Sequence, residues 1–118
     1  VIGSGSWATA LVKIITEGNN AVNWWIRNEE VLNSIKSHSH NPKYLSSVQL
    51  KNELLCLSSN LEETISSAEI IFVVVPAAFL KNTLSNLPKD IFQNKIIVNI
   101  ANKLNKSIVI FFFIPHPL

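Results

Sequence analysis

The sequence is poor in residues that form covalent or metal cross-links. Cys56 is the only cysteine among 118 residues, and methionine is absent. A single cysteine excludes both an internal disulfide and a cysteine-rich zinc site within one copy of the chain. We expect Cys56 to be a small buried hydrophobic residue, as free cysteines commonly are, and we expect a cytoplasmic protein.

Long apolar runs and targeting signals are also missing. The longest fully apolar stretch, residues 108–114, falls well short of the roughly 20 residues that span a bilayer. The sequence has no basic segment followed by an apolar core and a cleavage site, so it does not indicate export. Val1 and Ile2 have the character of the last part of a buried strand, and we expect that the chain is truncated before them.

Charge of either sign is sparse and scattered. Charged residues make up 15% of the chain and hydrophobic residues 47%, with a formal net charge of +2. This balance is typical of a globular domain with a continuous core, and the length fits one domain. Because Lys and Arg form no basic stripe, we expect no nucleic-acid partner.

The histidines do not form a recognisable metal or catalytic pattern. His38 and His40 lie in a polar segment, and His116 lies between two prolines. Neither a helical zinc pair nor the partners of a catalytic triad accompany them. We interpret them as solvated loop residues and predict no metal site.

Helical and strand-like patterns alternate along the chain. Apolar spacing and caps predict helices over residues 6–17, 29–37 and 77–87, and one begun by Asn60 with Glu63 as reciprocal capping partner. Gly18 is the expected C-cap of the first helix. The buried stripe of this first helix, over residues 6–17, is expected to consist of Trp7, Ala10, Leu11, Ile14 and Ile15.

Apolar runs predict strands at residues 21–26, 54–57, 70–75 and 95–101, and a long surface loop at 37–52. Strands that alternate with helices require crossovers that cover both faces of a parallel sheet. The fold class is therefore α/β, with a doubly wound, mostly parallel, Rossmann-type sheet.

The most informative motif directly follows the first strand. Residues 3–8, Gly-Ser-Gly-Ser-Trp-Ala, fit the G-x-G-x-x-G/A fingerprint and open into a helix. Gly3 permits a tight turn, Gly5 lets the backbone approach a pyrophosphate, and Ala8 lets helix and strand pack closely. The helix N-terminus offers free N–H groups to phosphates. In this context the motif predicts a dinucleotide site.

The end of the second strand bears on the choice between NAD and NADP. NAD-selective sites usually carry Asp or Glu there for the ribose 2′-hydroxyl, whereas this chain has Arg27 and Asn28. Arg27 can face a 2′-phosphate or stay a solvated arginine, and Glu29 can still serve the ribose. Both cofactors remain open.

Four segments together resemble NAD(P)-dependent glycerol-3-phosphate dehydrogenase. They are residues 1–10 with the Gly-Ser-Trp turn, the Trp-Ile-Arg of residues 25–27, the Asn-Pro-Lys-Tyr-Leu of residues 41–45 and the Val-Val-Pro of residues 74–76. The Gly-Ser-Trp turn and the N-x-x-Y-L loop are the specific parts, because other dehydrogenases share the glycines but seldom that pairing. The resemblance covers about residues 1–103.

The resemblance implies roles for residues outside the glycines. In the family the positions that match Ser6, Trp7, Arg27 and Asn28 contact the nucleotide, and the position that matches Tyr44 lines the cofactor site. For Tyr44 the alternative is that it packs its loop onto the domain.

The resemblance also implies roles near the ends of two later strands. Pro76 ends a strand whose carboxyl edge is expected to face the cofactor, although stopping the strand is itself sufficient reason for a proline. Lys103 matches a lysine that meets both cofactor and substrate, with Leu104 in place of the usual glycine; a plain surface lysine is the alternative. Residues 104–118 do not resemble the family's continuation, and we interpret them as an aberrant end of the reading frame or a strand of unrelated origin.

The resemblance implies hydride transfer between NAD(P) and glycerol 3-phosphate, giving dihydroxyacetone phosphate for phospholipid synthesis. In the family the catalytic base lies on a C-terminal helical domain. We expect that domain to be absent, so this chain has no catalytic residue, binds dinucleotide weakly and does not turn over; a homodimer is one option for the full enzyme. The alternatives are another dehydrogenase such as a ketopantoate reductase or 6-phosphogluconate dehydrogenase, a non-catalytic dinucleotide-binding module, and a reading frame without function.

Overall fold

A computed structural model of the chain describes residues 1–103 and 106–114. Within these ranges the chain forms four α-helices and five strands, and the predicted alternation is confirmed. In chain order they are α1 Ser6–Glu17, β1 Val22–Trp25, α2 Glu29–His38, β2 Leu55–Ser58, α3 Leu61–Ser66, β3 Ile70–Val73, α4 Ala77–Leu84, β4 Lys95–Lys103 and β5 Lys106–Ile114.

The sheet is built outward from Ile2. β1 pairs with β2 and β3 pairs with β4, both in parallel. Ile2 joins these two halves, because it forms parallel bridges to Trp25 on one side and to Val73 on the other. β5 adds an antiparallel edge strand to β4. The order β2, β1, Ile2, β3, β4, β5 is that of a mostly parallel, doubly wound sheet, as predicted.

Successive strand residues face two separate cores. Trp24 and Ile26 pack on one face with residues of α1 and α2. Trp25 packs on the opposite face with Ile65 of α3. Leu80 of α4, which is half-buried, packs against the same cluster. Helices therefore cover both faces, which a parallel sheet with buried strands requires.

The buried face of α1 differs from the predicted stripe. Its fully buried residues are Ala8, Thr9, Val12 and Thr16, whereas Ile14 is 68% exposed. Both threonine hydroxyls donate to carbonyls four residues earlier in the chain, at 2.8 Å. These bonds satisfy the hydroxyl groups and so allow two polar residues to occupy the interior.

Side-chain caps and turns set the helix boundaries. The Asn60 side chain accepts a hydrogen bond from the Glu63 N–H, but the backbone N–H of Asn60 donates to the Ser58 hydroxyl, so the reciprocal role predicted for Glu63 was wrong. α1 ends at Glu17 as expected, with Gly18 as C-cap, but the left-handed residue is the following one, Asn19.

Two further expectations concern the edge strand and the long loop. Cys56 is exposed rather than buried, because β2 is the outermost strand on its side of the sheet. Residues 39–51 form the predicted loop, yet Leu50 anchors it in the core with only 3% of its surface exposed.

Residues 106–114 form a strand in the sheet, and the proposed domain boundary at Lys103 stays a prediction.

Candidate functional site

A cleft of about 480 Å³ opens at the carboxyl end of the sheet. The cleft lies between the end of the first strand at Ile2, which leads into α1, and the end of the neighbouring β3, which leads into α4. The order of the strands reverses at this place, which is the topological switch point of the sheet. Open α/β sheets bind their ligands at such points. Of the predicted cofactor residues whose side chains the structure describes, Asn28 does not line the cleft, and the others do, namely Gly3, Gly5, Ser6, Trp7, Ala8, Arg27, Tyr44 and Pro76.

Gly3 is required by the backbone. Its φ is +123°, a conformation that residues with a side chain rarely adopt. A Cβ at this position would lie 2.5 Å from the Val74 carbonyl oxygen. The turn therefore needs glycine at position 3 for two reasons. The backbone conformation disfavours a side chain, and the end of the neighbouring strand β3 lies too close to admit one.

Gly5 is not required by the backbone. Its φ of −75° is open to any residue, and apart from its chain neighbours none of the described atoms lies within 4 Å of a Cβ built at this position. The space in front of Gly5 belongs to the cleft. A side chain here would cost the fold little and would occupy room that a ligand could use.

The first turn of α1 points its backbone donors at the cleft. The first intrahelical bond runs from the Thr9 N–H to the Gly5 carbonyl at 3.0 Å, and the residues before it, Ser6, Trp7 and Ala8, line the cleft. Among the described residues, no side chain caps this helix start and its first turn holds no acidic residue. The open N–H groups and the helix dipole favour an anion at this place.

Arg27 and Asn28 follow β1 but have different surroundings. Arg27 is exposed and is the charged residue among the described lining of the cleft. The side-chain oxygen of Asn28 accepts the N–H of Glu30 at 2.9 Å and that of Val31 at 3.2 Å. Asn28 thus caps α2 and does not line the cleft. Glu29, the other ribose candidate, borders a separate polar hollow.

Tyr44 belongs to an aromatic rim around the cleft. Its side chain is 45% exposed, while Trp7 is 51% and Phe79 54% exposed. Tyr44 thus lines the cleft while much of it stays exposed, and its contact with the cofactor stays a prediction. Exposed apolar rings around a cavity are typical of ligand sites.

No metal centre accompanies the cleft in the part of the chain that is described, where no three His, Cys, Asp or Glu residues lie close enough together to hold an ion. Likewise, none of the helices in the described ranges is both long and apolar enough to cross a membrane. The described lining of the cleft combines backbone donors, apolar side chains, several hydroxyl side chains and the guanidinium group of Arg27.

A comparison with protein families fits this geometry. The family model described as NAD-dependent glycerol-3-phosphate dehydrogenase N-terminus matches residues 1–113. The chain belongs to this family. The glycerol-3-phosphate dehydrogenase match includes Lys103 and continues through most of β5.

Curated glycerol-3-phosphate dehydrogenases support the assignment. The enzyme of Corynebacterium glutamicum (strain R), named glycerol-3-phosphate dehydrogenase [NAD(P)+], is 32% identical over 107 residues, which are 91% of this chain and 32% of the relative. The enzyme of that name from Leuconostoc mesenteroides is 37% identical over 87 residues, 74% of this chain and 26% of the relative. The chain thus spans about a quarter to a third of the length of these relatives.

Solved glycerol-3-phosphate dehydrogenases share the fold. The structure from Saccharomyces cerevisiae superposes with a TM-score of 0.71 at 22% identity, covering 86% of this chain and 32% of that one. The structure from Plasmodium falciparum gives a TM-score of 0.69 at 25% identity, covering 90% and 33% respectively.

Some lining residues were not predicted from the sequence. Trp25, Phe79, Thr83 and Ile100 also border the cleft. Phe79 lies three residues after Pro76, in the first turn of α4, so the position of β3 beside the first strand could have pointed to it. Thr83 and Ile100 carry no local signal, because only the packing of α4 and β4 brings them to the cleft.

Lys103, the residue that the resemblance assigns to cofactor and substrate, lies at the end of β4. Its backbone pairs with Lys106 in the antiparallel register. Its side chain lies outside the described part of the structure. Its role in this glycerol-3-phosphate dehydrogenase domain therefore stays a prediction.

Proposed function

We propose that this chain is the NAD(P)-binding part of a glycerol-3-phosphate dehydrogenase. The observation that carries the proposal is the cleft at the switch point, where the open start of α1 faces free space beside Gly5. Backbone N–H groups in a glycine-rich turn and a positive helix end form a site for a pyrophosphate. The family match supports the dinucleotide as the ligand.

The cleft offers separate surfaces for the parts of a dinucleotide. The α1 N-terminus suits the phosphates, and Arg27 at the end of β1 lies where a ribose is expected. The apolar wall formed by Val74, Val75 and Ile100 suits a flat ring and keeps water from it.

The reaction proposed for the complete enzyme is hydride transfer between glycerol 3-phosphate and NAD(P), which gives dihydroxyacetone phosphate and supplies phospholipid precursors. The bound dinucleotide would accept or donate the hydride, and the residues described here would bind and orient it. Lys103 is the proposed contact to both cofactor and substrate. The base that moves the hydroxyl proton is proposed to lie outside this chain. The cytoplasmic setting and a homodimeric full enzyme remain predictions.

A second candidate is a dinucleotide-binding module without catalysis. The observation that favours it is that the described lining of the cleft includes no carboxylate, histidine or lysine that could act as a base. The two candidates share the binding site and differ in turnover.

Arg27 provides the test of the cofactor site. A guanidinium group makes charge-assisted bonds to a 2′-phosphate that a 2′-hydroxyl cannot match. We expect Arg27→Gln to weaken NADPH binding by about tenfold and NADH binding by much less. Fluorescence titration with both cofactors measures this. Equal losses for the two would show that Arg27 does not face the 2′ position, and failure of the wild-type chain to bind either would contradict the proposed function.

A further inference from the structure

Side chains from the interior donate hydrogen bonds to the carbonyl groups of the glycine-rich turn, residues 3–6. The indole nitrogen of Trp24, a fully buried residue, donates to the Gly3 carbonyl at 2.6 Å. The Thr9 hydroxyl donates to the Gly5 carbonyl at 2.8 Å. The carbonyl between them, that of Ser4, is held by a residue from the distant loop.

That residue is Asn41, whose buried amide uses its full hydrogen-bonding capacity. Its nitrogen donates to the Ser4 carbonyl at 3.0 Å and to the Thr9 hydroxyl at 2.9 Å. Its oxygen accepts the N–H groups of Lys43 at 3.0 Å and Tyr44 at 3.3 Å. One side chain therefore links the glycine-rich turn to the loop that carries Tyr44.

The direction of these carbonyls determines the direction of the neighbouring N–H groups. In a trans peptide the N–H points opposite to the carbonyl of the preceding residue, and no described peptide bond is cis. Carbonyls turned inward at residues 3–5 therefore turn the N–H groups of Ser4, Gly5 and Ser6 outward. These three residues line the cleft.

We propose that Asn41 is a positioning residue for dinucleotide binding, which sets the N–H groups of the glycine-rich turn and the place of Tyr44 together. The proposal rests on the function proposed above. An apolar residue of similar size would fill the same buried space without the cost of burying an amide. A fully satisfied buried amide fixes one arrangement of the groups it contacts, which is what a preorganised binding site needs.

Asn41→Asp tests the proposal, because aspartate keeps the oxygen that accepts from the loop and loses both donors to the turn. Asn52→Asp is the matched control. Asn52 also donates its side-chain nitrogen to two carbonyls, those of Ile35 and Lys36 at 2.8 and 3.3 Å, and does not line the cleft. Both variants are titrated with NADH and NADPH by fluorescence, at a temperature where melting curves show each to be folded.

We expect Asn41→Asp to raise the Kd for the dinucleotide by about tenfold or more, and Asn52→Asp to leave it within about twofold, even where the two lose similar thermal stability. Loss of stability alone does not change the Kd of chains that are folded. If the wild-type chain binds and Asn41→Asp binds equally well, the positioning role is wrong while the proposed function stands. If the wild-type chain binds neither cofactor, the proposed function itself fails.

Thr9→Val keeps the test decisive if Asn41→Asp does not fold. Valine has nearly the shape of threonine but cannot connect Asn41 to the Gly5 carbonyl. The same titration is expected to show weaker dinucleotide binding. Undiminished binding by Thr9→Val would overturn the proposal in that case.

Discussion

Gly3 and Gly5 are both glycine, but for different physical reasons. At Gly3 the positive φ and the nearby Val74 carbonyl leave no room for a side chain. At Gly5 the backbone is ordinary, and the space in front of it is open. Substitution at these two positions therefore separates an effect on folding from an effect on binding.

Gly3→Ala is expected to destabilise the fold. The new Cβ would meet the Val74 carbonyl oxygen at 2.5 Å unless the strand end moved, and alanine is strained at positive φ. We expect a loss of about 2 kcal/mol or more in the free energy of unfolding. Urea denaturation measures the loss, with Gly5→Ala as the matched control that stays near wild type. Equal stability of the two variants would show that the turn is not held as described.

The need for glycine at position 3 was predictable from the sequence because it is local, whereas Gly5 was predicted from the fingerprint alone. A turn that joins a strand to a helix in so few residues admits only a few backbone conformations. The sequence could not distinguish two roles for Asn28, contact with the ribose and capping of the following helix. A polar residue at a strand end suits both. Its position in the structure favours the cap.

At the scale of elements, Asn28→Ala tests the cap of α2. Loss of an asparagine N-cap costs about 1 kcal/mol of stability. We expect that loss in urea denaturation, recovery in Asn28→Asp, and unchanged dinucleotide affinity in both variants. A large loss of affinity in Asn28→Ala at full stability would show instead that Asn28 contacts the nucleotide.

Helices and strands were largely predictable, but their faces were less so. Apolar spacing located α1 correctly, yet the helix is rotated so that Thr9 and Thr16 are buried and Ile14 is exposed. Hydrophobicity alone cannot foresee this, because the threonines satisfy their hydroxyls within the helix. Similarly, the exposure of Cys56 follows from the edge position of β2, which the order of the strands determines.

At the scale of the whole molecule, the winding of the sheet places the cleft. Ile2 bridges to both halves of the sheet, and the chain first builds the half with β1 and β2 and then crosses over to build the half with β3 and β4. The alternation of elements predicted that arrangement and hence the general location of the site. The contributions of Thr83 and Ile100 could not be predicted, because they depend on how α4 and β4 pack beside the first strand.

Turnover is the prediction that belongs to the whole chain. The described cleft holds no carboxylate, histidine or lysine to act as base, and we propose that the base lies elsewhere in the full enzyme. We expect purified chain, supplied with NADH or NADPH and dihydroxyacetone phosphate, to show no loss of reduced cofactor absorbance above background. Steady turnover that scales with protein concentration and disappears in Gly5→Val would refute this expectation.

The most direct test of the account is a fluorescence titration of the wild-type chain and Gly5→Val with NADH and NADPH, together with their melting curves. A Cβ at position 5 would have no described atom within 4 Å apart from its chain neighbours, so we expect a valine side chain there to extend into the open space of the cleft. We predict saturable binding by the wild type, and loss of binding by Gly5→Val with little change in melting temperature. Equal binding by a folded Gly5→Val chain would contradict the placement of the dinucleotide beside the glycine-rich turn.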